Sequence, residues 1–215
     1  MIINHLNVSL FFIYFFIQLF VAPKNNYSLI STINTILTAF IPNYLFITDY
    51  NNFINIYKYD INEISSLYQY PSKFLLSYVI YDIYYSLFPF KKDMIIHGIL
   101  LLLSIILVEY YNIQHYICQG LLIQTSTLFL NFINKSDICG LLFVITFFIY
   151  RIILFPILSI KYFNYAFTLL TNSNLNCHKL IILLVLFLNI LNFYWFKKII
   201  LKFKYKLLKK INNIE

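Results

Sequence analysis

Long apolar runs alternate with short polar links along the whole chain. Leu6 to Ala22 is continuously apolar and ends at Pro23 and Lys24. Leu29 to Ile47 is less oily, holding Ser31, Thr32, Asn34, Thr35, Thr38 and Pro42. A polar connection from Asp49 to Tyr70 follows, with Asp49, Asn51, Asn52, Asn55, Lys58, Asp60, Asn62 and Glu63 in it. Further runs cover Phe74 to Phe88, Met94 to Tyr110, Tyr116 to Phe132, Ile138 to Ile160 and Leu180 to Phe196. A helix crosses a bilayer with about 20 predominantly apolar residues, so the pattern predicts an all-α integral membrane protein. It is a polytopic bundle of about seven transmembrane helices, with six as the alternative count because several runs are short. The first run lacks the preceding Lys or Arg of a signal peptide and reads as an uncleaved helix. Residues 1–25 form that first helix, 26–205 the main membrane domain and 206–215 a basic tail.

Composition narrows the class without changing it. The 215 residues are 61% hydrophobic and 11% charged, with a mean hydropathy of +0.76. A soluble domain of this composition would need a largely apolar surface. The excess of Ile, Asn, Lys, Tyr and Phe fits A/T-rich coding, so part of the aromatic content is codon bias. The net charge of +8 is unevenly placed. Lys24, Lys91, Lys92, Lys135, Lys197, Lys198, Lys202, Lys204, Lys206, Lys209 and Lys210 fall on one side of a seven-span topology. Lys58, Lys73, Lys161 and Lys179 fall on the other. Cytosolic loops carry the excess of Lys and Arg, which predicts a cytosolic C-terminus. The tail is first of all a topology anchor, and its lysines can also attract anionic headgroups. Charge confined to links and tail gives no basis for nucleic-acid binding.

Candidate chemistry concentrates between Ser77 and Val108. Asp82 sits inside a tyrosine-lined apolar run, Lys91-Lys92 make a basic turn, and Asp93 and His97 share a helix face four residues apart. Ionisable residues at membrane depth are functional candidates by default. Asp82, Asp93 and His97 are therefore the candidate catalytic groups, and Asp82 and His97 are expected to meet at similar depth between the third and fourth spans. Asn34, Gln124, Ser126 and Asn131 join Asp82 and His97 as candidate lining of a lipid cavity, since polar residues in spans turn toward other helices. Arg151 and Glu109 are both placed toward the far membrane face by helical rise, which predicts that Arg151 either snorkels to the interface or forms a structural ion pair with Glu109. Cys118, Cys139 and Cys177 have no CxxC spacing, and His5, His97, His115 and His178 fall on separate elements, with only His97 embedded. No HExxH, GxSxG, phosphate loop or dinucleotide turn occurs, so no metal or cofactor is expected.

The ordered segments SYVIYDIYYSLF, KKDMIIHGILLL, QTSTLFLNF, FFIYRIILFP and LNILNFYWFKKII resemble the successive signatures of the TLC domain. That membrane domain is shared by translocation-associated membrane proteins, ceramide synthases and small TLC domain-containing proteins. The likeness covers roughly residues 26–205 and is nearest the small proteins. It implies a partner role for membrane lipids and residence in the endoplasmic reticulum or another internal membrane, with a homo-oligomer left open. Departures bear on function. The family's adjacent histidines are His97-Gly98 here, and the early serine–histidine spacing gives Ser31 and Asn34. Where ceramide synthases carry further His and Asp residues, Gln124, Ser126 and Thr127 stand. The resemblance thus implies a non-catalytic protein binding or sensing lipid acyl chains in membrane lipid homeostasis. The alternative is a ceramide-synthase-like N-acyltransferase using acyl-CoA with His97 as base, and the third option is a membrane-structural protein without ligand.

Overall fold

A computed structural model describes residues 27–59, 66–87, 90–133, 136–169 and 175–212. The expected first span, Leu6 to Ala22, lies outside the described residues, as do Lys24, Asp60, Asn62, Glu63 and Lys135. Among the described residues the architecture is helical throughout. Helix α1 is Tyr27–Thr48, followed by short α2 (Tyr50–Ile54). Helices α3 (Tyr70–Leu87) and α4 (Lys92–Tyr110) form the next antiparallel pair. Helices α5 (His115–Gly120) and α6 (Gln124–Leu130) make one rod through a 3₁₀ turn at Leu121–Ile123. Helices α7 (Asp137–Phe147) and α8 (Phe155–Leu169) make another through a π-helical segment, and α9 (Leu175–Asn212) is the longest rod.

The chain is an all-helical integral membrane protein. Lys92–Tyr110, Asp137–Thr168 and His178–Tyr205 are each long and apolar enough to cross a membrane. The other rods are more polar because their polar stripes face inward. Along α1, Ser31, Asn34, Thr35 and Thr38 are buried, while Ile33, Ile36, Phe40, Tyr44 and Ile47 lie exposed on the opposite side. A period near 3.6 produces that division, and in a bilayer the apolar face belongs outside. Inward hydroxyls cost little where they bond back to the preceding turn. Thr35 Oγ1 donates to the Ser31 carbonyl at 2.6 Å, and Thr38 Oγ1 to the Asn34 carbonyl at 2.8 Å.

Local chemistry sets the rod ends. Ser136 caps α7 by accepting from the Ile138 amide at 3.2 Å, with Asp137 in the first turn at the positive end of the helix dipole. Helix α4 closes in a Schellman arrangement: Ile113 N–H donates to Val108 O at 2.8 Å and Asn112 N–H to Glu109 O at 3.2 Å. That motif needs a left-handed residue, and Asn112 supplies it with φ 56°. The tight link makes His115 the first residue of α5 and buries it, and His178 is buried near the start of α9. The expectation that His97 alone is embedded is thereby corrected. The π-helical segment Phe148–Leu154 precedes Pro156, whose missing N–H and bulky ring disrupt the regular ladder one turn earlier.

The connection after Asp49 is not a surface loop. Phe53, Ile54, Ile56 and Tyr57 are buried while Asn51 and Asn52 stay exposed. The segment is tied down by Gln119 Nε2 donating to the Phe53 carbonyl and Tyr116 Oη donating to the Tyr57 carbonyl at 2.9 Å. Tyr68, also buried, donates to Asp49 Oδ2 at 2.8 Å. Burial, then that carboxylate, push the Tyr68 hydroxyl well above its ordinary pKa and keep it a donor. Residues 50–58 thus form a plug in one end of the bundle.

Candidate functional site

An apolar cavity of about 120 Å³ lies within the bundle. Four rods line it over matching lengths, Leu101 to Val108 on α4, Tyr116 to Ile123 on α5 and its 3₁₀ turn, Phe155 to Tyr162 on α8, and Ile181 to Leu188 on α9, and α3 adds Leu75. Seven residues of helical rise make it about 10 Å deep on each wall. Ile56 and Tyr57 of the plug line it as well. The plug end is also where Tyr162 Oη meets His178 Nδ1 at 3.0 Å.

At the opposite end, one turn beyond the cavity wall, stands Arg151, only 6% exposed. Its Nε donates to Ser126 Oγ at 2.8 Å, its Nη2 to Thr127 Oγ1 at 2.9 Å and its Nη1 to Asn192 Oδ1 at 3.3 Å. The guanidinium carbon lies 5.0 Å from the Phe147 ring centre. His97 lies within electrostatic reach of Arg151, and its ring meets Trp195 edge-on at 4.8 Å between centroids. His97 Nδ1 is buried without a hydrogen-bond partner among the described residues. Register explains the arrangement. Leu101 is four residues from His97, Phe155 four from Arg151 and Leu188 four from Asn192, and such neighbours lie on one face. The same faces thus carry a polar ring, then an apolar wall.

The Lys-bearing end of the bundle lies just outside this ring. Lys198 Nζ pairs with Asp93 Oδ2 at 2.7 Å and sits 4.3 Å over the Tyr194 ring, while Lys91 lies 5.7 Å over Tyr85. Lysine over tyrosine is how long cationic side chains settle at a membrane interface. Asp93 is therefore a half-exposed ion-pair partner in the first turn of α4.

The expected ion pair between Glu109 and Arg151 does not form. Glu109 accepts from Ser72 Oγ at 3.3 Å and Gln114 Nε2 at 2.8 Å at the plug end. Arg151 reaches the other way because side chains lean toward a helix N-terminus, and the N-terminus of its rod is at the Lys-bearing end. A ruler along Cα positions misses that lean. The cavity does not lie between the third and fourth spans alone either: α4 gives one wall and α3 contributes Leu75. A Cβ at Gly98 would stand 2.5 Å from Ile83 Cγ1, so α3 and α4 are in contact where a chamber was expected. That contact does put Asp82 and His97 at similar depth, yet no hydrogen bond joins them.

Of the six residues expected to line a lipid cavity, Gln124 does so in this one. Ser126 holds Arg151 instead, and Asn131 Oδ1 accepts from Ser31 Oγ at 3.1 Å. Asn34 is fully buried with both carboxamide atoms unpartnered among the described residues, and Asp82 is buried on α3. Asn192 and Trp195 escaped the sequence reading, and Thr127 entered it only as a departure from the ceramide-synthase pattern. Their one signal was spacing, since Asn192 and Trp195 share the α9 face that carries Leu188. Among the described residues no group of His, Cys, Asp or Glu is placed to hold a metal ion.

An all-α membrane bundle, with a polar-capped apolar chamber among four of its rods, defines a polytopic membrane protein built around an internal cavity. The family model for the TLC domain matches residues 24–201, and the chain belongs to that family. No curated protein matches, and no solved structure matches.

Proposed function

We propose that this protein binds a lipid acyl chain in the internal cavity and serves membrane lipid homeostasis as a binding or sensing protein. The observation that carries the reading is an apolar chamber among the rods with a buried polar cluster at Arg151 one helical turn beyond its wall, an arrangement that suits an amphiphile. Ligand sites are typically apolar pockets with a few placed polar groups. The TLC domain places the chamber in a membrane family, where acyl chains are the abundant apolar partner. Lysine bias supports a topology with the Arg151 end and the C-terminus in the cytosol, and the resemblance suggests an internal membrane such as the endoplasmic reticulum.

Binding is better supported than acyl transfer. A histidine acting as general base needs an orienting group and access to the attacking amine. His97 Nδ1 has no acceptor among the described residues, and its ring lies against Trp195 beside a cation. The direct test is to fill the chamber. Leu188→Trp and Ile105→Phe should each abolish retention of a radiolabelled fatty acid by the purified protein in nanodiscs, with thermal stability kept near wild type. Unchanged retention in both variants would sink the proposal.

A further inference from the structure

We propose that Arg151 recognises the anionic head, a carboxylate or phosphate, of a single-chain amphiphile whose tail fills the cavity; the inference rests on the acyl-chain reading above. A buried cation at membrane depth is costly, and such cations are normally paired. Among the described residues no carboxylate lies within salt-bridge distance of Arg151. Asp93 is engaged with Lys198 and Glu109 with Ser72 and Gln114, and Asp82, buried on α3, forms no salt bridge with Arg151. Ser126, Thr127 and Asn192 are neutral and accept three of the guanidinium's five N–H donors. They hold the fork still without cancelling its charge. The two remaining N–H groups suit a carboxylate or phosphate, whose oxygens the planar fork matches in pairs.

The surroundings favour the same ligand. Buried His97 Nδ1 is a further polar atom without a partner among the described residues, on the α4 face one turn from the cavity-lining Leu101. The cluster sits one turn from the apolar walls, so a head at Arg151 directs its tail along the chamber toward Ile56 and Tyr57. Outside the ring, Lys91, Lys92, Lys197 and Lys198 give that end a positive rim, which raises the local concentration of anions.

Binding of tritiated dodecanoate and dodecanol to the full-length protein in phosphatidylcholine nanodiscs, with empty discs subtracted, tests this directly. The expected result is dodecanoate held about tenfold tighter than dodecanol, as hydrogen bonds to a charged group provide. Arg151→Gln should bring the two affinities together by weakening dodecanoate binding, and Arg151→Lys should retain part of the preference. Equal binding of acid and alcohol to the wild-type protein overturns the head assignment and leaves the cavity reading standing, whether or not the variants fold. Displacement of dodecanoate by millimolar inorganic phosphate would assign the guanidinium to the free ion and overturn the lipid-head assignment. Failure of both amphiphiles to bind overturns the cavity reading, and this inference with it.

Discussion

Gly98→Ala should change sign with its neighbour. The added Cβ would stand 2.5 Å from Ile83 Cγ1 and 3.3 Å from Cδ1, closer than side chains approach. Either the Ile83 side chain leaves its rotamer or α3 and α4 separate. Overpacking of this kind costs about 1–3 kcal/mol. Against it stands the helix propensity of Ala over Gly, about 0.8–1 kcal/mol in favour of the variant. The steric term wins, and the net loss should be about 1 kcal/mol. In an Ile83→Ala background both offending atoms are gone and the nearest survivor is Cβ at 3.8 Å, an ordinary contact. There, Gly98→Ala should stabilise by about 0.8–1 kcal/mol, the propensity term alone. Reversible denaturant unfolding of the four proteins in bicelles gives the cycle, and the coupling energy should be about 1–3 kcal/mol. The same sign in both backgrounds would refute the close approach of α3 and α4 on which the position of the cavity depends.

Further outcomes follow from the other features. Arg151→Leu and Glu109→Leu should be additive to within about 0.5 kcal/mol, since the two residues hold different partners, and a larger coupling in unfolding experiments would restore the ion pair. Asn34→Leu should raise stability by about 1 kcal/mol by removing a buried carboxamide without partners, and a loss of similar size would show that Asn34 has one. Tyr57→Ala should deepen the chamber at the plug and shift binding toward longer acyl chains, measured by competition among fatty acids of increasing length. An unchanged length preference would separate the plug from the cavity floor.

How far the sequence carried depended on which physical signal was in play. Runs of apolar residues at spanning length are a direct consequence of bilayer thickness, so the rods from Leu29 to Phe132 were legible within a few residues, while the last two continue well past their apolar runs, to Leu169 and Asn212. The inward turn of Ser31, Asn34 and Thr38 followed from the same logic, because lipid cannot satisfy them. The plug was not legible: its buried Phe53, Ile54, Ile56 and Tyr57 are scattered among asparagines, too few to outweigh a polar average. Arg151 was recognised as important and given the wrong partner, since position along a helix says nothing of which way a long side chain leans. The cavity was expected between α3 and α4 because Asp82 and His97 sit there. It lies instead where four rods bring Leu101, Ile123, Phe155 and Leu188 together, ordinary residues whose meaning comes from which rods neighbour each other.

The most direct measurement of the central claim is photo-crosslinking with a diazirine-bearing fatty acid in membranes, followed by mapping of the labelled residues on α4. That helix carries both alternatives on opposite faces: Leu101, Ser104, Ile105 and Val108 line the cavity, while Ile99, Leu103 and Ile106 are exposed at 45%, 46% and 51%. An acyl chain held in the chamber labels the first set, is competed by unlabelled fatty acid, and is lost in Leu188→Trp. Labelling confined to Ile99, Leu103 and Ile106, without competition, would show a protein that meets lipid only at its surface.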